Sequence, residues 1–113
     1  MIRVVLIAAL IAASGAATAG ERKVYAGDEA KALKCAFVIS ATANTLETAG
    51  FLGRNYARGA NVISYAILQK YVSGTERQKL AALKAVGARR DVNQTLTEFQ
   101  AEAKACLRKF PID

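Results

Sequence analysis

The chain's only cysteines, Cys35 and Cys106, are the residues best placed to form a covalent bond. No Cys-x-x-Cys redox pair exists, so a structural cross-link is the expected chemistry, with two free reactive thiols as the alternative. Glu98 and Glu102 stand four apart, a spacing that puts two carboxylates on one helix face. Such a pair can bind a metal or share a proton. The di-iron bundle pattern also needs carboxylates from other helices and histidines at fixed spacing, and the chain has no histidine. Two solvated glutamates on an exposed shoulder are therefore the expectation.

The missing histidine removes the commonest general base, the usual triad base and the commonest metal ligand. Gly-x-Ser-x-Gly, the phosphate loop and the haem-attachment motif are absent too. The sequence thus predicts no catalytic residue, no cofactor and no metal site.

Binding chemistry is better represented. In Gly53-Arg54-Asn55-Tyr56-Ala57-Arg58-Gly59, Arg54 and Arg58 fall on one helix face with no acid at i±4. Two guanidiniums without local counter-charge form a candidate anion site. The alternative is a solvated basic face. Arg89-Arg90 makes a second cationic spot, which also suits the negative end of a helix. Phe51, Tyr56, Tyr65 and Tyr71 form an aromatic series that could floor an apolar groove or fill the core. The candidate binding residues are Arg54, Tyr56, Arg58, Arg89 and Arg90. Whether the two basic spots merge depends on the fold.

Helical patterns must position these groups. Asp28 is the expected cap of a first helix with Ala32, Cys35, Ala36, Ile39, Ala43 and Leu46 at steps of three and four. Gly50 ends it. Phe51 to Val72 is apolar almost all round, which predicts either the most enclosed helix or one with an exposed patch. Gly53 and Gly59 are the points where it could divide into a short and a long helix.

Thr75-Glu76-Arg77-Gln78 has capping-box spacing and opens a third helix with Leu80, Leu83 and Val86 inward, stopped by Gly87. Asp91 caps a fourth, whose Val92, Leu96, Phe99, Ala103, Cys106 and Phe110 form a narrow seam. Pro111 forbids further helix. Short connections predict an all-α, up-down-up-down four-helix bundle. That topology brings the start of the first helix to the end of the last, where Cys35 and Cys106 would pair. Closing a loop of some seventy residues would stabilise the fold by about 4 kcal/mol.

The first residues carry an address. Met1-Ile2-Arg3, the apolar run Val4 to Ala13, and small residues ending in Ala17-x-Ala19 make up a secretory signal. Cleavage is expected after Ala19, leaving residues 20–113 as one domain in the periplasm or outside the cell. An uncleaved anchor is the alternative. The domain keeps 15 basic and 9 acidic residues, a net +6. Export and scattered positive charge argue against nucleic acid. They favour acidic proteins, anionic lipid or cell-wall carboxylates, with contacts weakened by salt. A monomer or weak homodimer is expected.

The general layout is similar to that of small periplasmic immunity proteins paired with type VI secretion effectors. Those too are exported, helical and cysteine-bearing in the first and last helices. This likeness of architecture implies inhibition of an exported enzyme, as an alternative to a more general protein-binding role. A secreted effector or envelope-associated structural protein is a third reading. An enzyme using Glu98 and Glu102 is a fourth, predicting that Glu102→Gln abolishes activity without disturbing the fold.

Overall fold

The computed structural model describes residues 23–112. The expected signal and its cleavage site lie outside the described residues. Within them the chain is all-helical, with no strand: α1 (Gly27–Thr48), α2 (Arg54–Tyr71), α3 (Glu76–Ala88) and α4 (Val92–Lys109). None of these helices is long and apolar enough to cross a membrane.

Helix α1 starts one residue before the expected cap. Ala26 is its N-cap, with no side-chain hydrogen bond. Asp28 and Glu29 fall inside the first turn, where they complement the helix dipole and also reach other segments. Asp28 pairs with Lys109 at 3.0 Å, and the Ser73 N–H donates to Glu29 at 2.6 Å. At the far end Gly50 has φ +83°. Its N–H donates to the Glu47 carbonyl, and the Phe51 N–H reaches back to Leu46. These two bonds make a Schellman stop, which needs a residue in the left-handed region.

The central element is α1 rather than α2. It packs against all three other helices, which touch one another little. Small residues allow this: Ala32, Ala36 and Ala43 are buried on α1, and Ala32 and Ala36 share one buried cluster with Ile67 and Leu68 of α2. Ser64, buried on α2, donates to the Ala36 carbonyl at 2.7 Å. Helix α2 is not divided at Gly59; it begins after Gly53 and runs unbroken. Its apolar surplus is left partly on the outside, at Tyr56, Val62 and Tyr65.

In α3 both halves of the capping box form. Thr75 Oγ1 accepts from the Gln78 N–H at 3.1 Å, and Gln78 Oε1 accepts from the Thr75 N–H at 2.9 Å. Val86 is buried, but Leu80 is 55% exposed, because α3 packs mainly on α1 and has a free outer face. Gly87 does not stop the helix. It lies in the last turn, where an added Cβ would come within 2.6 Å of the Phe37 ring. Its role is close packing.

Asp91 caps α4 by accepting from the Gln94 N–H at 2.7 Å. The seam is partly buried from Leu96 to Cys106 and ends on buried Phe110, while Val92 is 55% exposed. The Cys35–Cys106 disulfide joins α1 to α4, with Cα atoms 5.7 Å apart. Around it the starts and ends of helices are tied together. Tyr71 stacks edge-on with Phe110 at 5.2 Å and donates to the Pro111 carbonyl, and Tyr25 donates to the Ser73 carbonyl at 2.7 Å. At the opposite end the cross-helix polar tie is a lone Asn61–Asn44 hydrogen bond of 2.9 Å, counted among the described residues.

Candidate functional site

The residues expected to bind divide into three places. Arg54 and Arg58 sit on the exposed outer face of α2, which Val62 and Tyr65 continue. Residues four and seven apart stay on one side of a helix. Neither arginine has an ion-pair partner among the described residues.

Tyr56, between them in sequence, points elsewhere. Two residues on from Arg54, it is turned about 200° around the helix axis. It stands 75% exposed as a wall of an apolar slot between α2 and α4. The Gly53–Gly59 segment therefore presents two surfaces, not one.

The Arg89-Arg90 pair divides as well. Arg89 is exposed. Arg90 is committed internally: its side chain is 15% exposed, its Nε donates to Glu98 at 2.8 Å, and a terminal nitrogen donates to the Val86 carbonyl at 2.9 Å. Both arginines face the first half of α1, near Leu33 and Lys34. Asn61, just beyond Arg58, bonds Asn44 in the second half. Ten residues of helix separate those levels, about 15 Å. The two basic spots do not merge.

Glu98 and Glu102 join a charge network. Lys34 reaches both, at 2.8 and 3.1 Å, and Arg90 completes it. Arg90 and then Lys34 hold the Glu98 carboxyl below its ordinary value of 4.5, so it stays ionised instead of storing a proton. Glu98 raises the Lys34 ammonium in return. The arrangement cross-links α1, α4 and the connection before α4. No group of three or more metal-ligating side chains occurs among the described residues.

The aromatic series does not floor a groove. Tyr71 packs on Phe110, Tyr65 faces outward towards Glu76, and Phe51 lies exposed after the α1 stop. The slot's floor is aliphatic and belongs to α1: Ile39, Thr42, Ala43 and Leu46. Tyr56, Ala60 and Ile63 form the α2 wall, and Phe99, Ala103 and Leu107 the α4 wall. The enclosed space is about 300 Å³, and no lining residue is charged.

Thr42, on the floor, is 2% exposed, and its hydroxyl has no hydrogen-bond partner. Sequence reasoning named Tyr56 but missed Thr42 and Leu107. The available signal was Leu107, an apolar residue just off the α4 seam that α1 alone does not cover. A second cleft of about 300 Å³ lies across α4, over the disulfide; on its rim Lys34 pairs with Glu102, and Lys109 reaches Asp28 outside it. No known family, characterised protein or solved structure matches this chain.

Proposed function

We propose that the protein is a small exported binding module, an up-down-up-down helical bundle released after Ala19, that acts without catalysis. Its partner is the acidic surface of another exported or envelope protein. The observation that carries this reading is the outer face of α2, where Arg54 and Arg58 stand exposed beside Val62 and Tyr65 without ion-pair partners among the described residues. Cations left uncompensated next to exposed apolar groups gain Coulomb energy and burial together when an acidic surface docks. Arg89 lies too far away to join the same contact.

The test is a pull-down from an envelope extract of the source organism, with residues 20–113 as bait and the Arg54→Gln/Arg58→Gln variant as control. One stoichiometric protein, lost with the variant, is the expected result. Recovery of lipid or cell-wall material alone, removed by salt, would move the protein to an envelope-associated role. Equal recovery by both baits would end the claim for the arginines.

A further inference from the structure

The slot between α2 and α4 has a shape and a charge pattern that together specify an occupant. Its floor runs from Ile39 to Leu46. The seven steps between them rise about 10 Å, the length of two helical turns. One small residue from each helix, Ala43, Ala60 and Ala103, lines it, leaving room for a large side chain from outside.

The charges are one-sided. Lys104 and Arg108 follow Ala103 and Leu107 in sequence and are exposed on α4's outer side, without ion-pair partners among the described residues. The acid next to them, Glu102, is turned the other way and held by Lys34. Lys104 and Arg108 are one helical turn apart, a spacing that matches acids one turn apart on a helix lying alongside.

The Thr42 hydroxyl is closed off beneath the floor, so an occupant meets apolar atoms there. A second copy of this chain is disfavoured by charge, since the exposed outer face of α2 brings more arginine to Lys104 and Arg108.

We propose that this slot docks about two turns of an amphipathic helix from another protein. That helix carries large apolar residues at i, i+4 and i+7 and acids on the edge facing Lys104 and Arg108. The proposal rests on the binding-module reading but not on its arginines.

The protein has no tryptophan, so a peptide that carries one reports its own docking. The probe is a synthetic amphipathic helix of about 16 residues with Leu-Trp-Leu anchors and a glutamate edge. A matched peptide has lysines on that edge. The glutamate peptide should give a saturable blue shift with the purified protein. Ala103→Leu, which fills the slot from a helical position, should abolish it. The Lys104→Glu/Arg108→Glu variant should weaken it by on the order of tenfold and favour the lysine peptide. Far-UV circular dichroism and melting curves check that each variant is folded.

No saturable shift up to about millimolar peptide, or equal binding by folded Ala103→Leu, would overturn the proposal. Displacement of the peptide by decanoate together with indifference to charge reversal would make the slot an acyl site, and overturn it. Dimerisation abolished by Ala103→Leu would make the occupant a second copy, with the same consequence. The two binding claims fail separately. Peptide docking with an Arg54→Gln/Arg58→Gln bait that keeps its partner upholds the slot alone, and the reverse pair of results upholds the arginines alone.

Discussion

Breaking the Cys35–Cys106 bond perturbs the molecule where the structure gives α4 its strongest attachment. The cysteines are 71 residues apart in sequence. In the chain-entropy model a closed loop of that size restricts the unfolded state by about 4.4 kcal/mol at 25 °C. A domain of this length loses about 4–8 °C of melting temperature per kcal/mol. Reduction should therefore lower the melting temperature by roughly 20 °C or more.

The structure adds a direction to that magnitude. α4 packs chiefly on α1, and its other ties near the disulfide include the Lys34–Glu102 and Lys109–Asp28 ion pairs and the Phe110–Tyr71 stack. The loss should be felt first in α4. The assay is a circular-dichroism melt of the oxidised protein, the reduced protein and Cys35→Ala/Cys106→Ala, with amide hydrogen exchange on the same three samples. α4 amides should lose protection ahead of those in α1 and α2. A shift below about 5 °C, or uniform loss of protection across all four helices, would refute both the size of the staple's contribution and the claim that α4 depends on it.

Glu98→Gln should destabilise the fold by about 1 kcal/mol at neutral pH, since it leaves Arg90 and Lys34 half-buried without a full counter-charge. The Glu98 carboxyl is held below its unfolded value, so its contribution is present above about pH 4.5 and disappears as pH falls through the lower folded value. Denaturation midpoints across that window should fall more steeply for the native chain than for the variant. Glycine substitutions should split in sign. Gly59→Ala meets no neighbour within 4 Å and should raise stability by about 0.5–1 kcal/mol. Gly87→Ala drives a Cβ to 2.6 Å from the Phe37 ring and should cost about 1–3 kcal/mol, read in both cases from chemical denaturation.

The features legible in the sequence were those written in local chemistry. Thr75 and Gln78 announced their cap, Asp91 its own, and Gly50 a stop, because each acts on backbone groups within a turn of itself. The disulfide was legible because helix register and short connections place Cys35 and Cys106 at one level.

Features that depend on a neighbour were not legible. Gly87 reads as a breaker until Phe37 is seen against it. Leu80 fits an inward stripe, but α3 lacks a second helix to pack on. Tyr56 and Arg54 look like one motif, yet a 100° turn per residue sends them to different surfaces. The α2–α4 slot was invisible for the same reason: its floor and its two walls come from three helices far apart in the chain.

The placement of α1 among three helices that scarcely touch one another has a consequence for epistasis. Energetic coupling between substitutions needs shared contacts, and here those contacts nearly all run through α1. Changes on different outer helices should simply add, whereas a change at Ala36 or Ile39 couples to whatever is altered around it. Sequence drift can then proceed on the outer helices one at a time. α1 can change only in concert with its neighbours, and so sets the pace at which the whole molecule diverges.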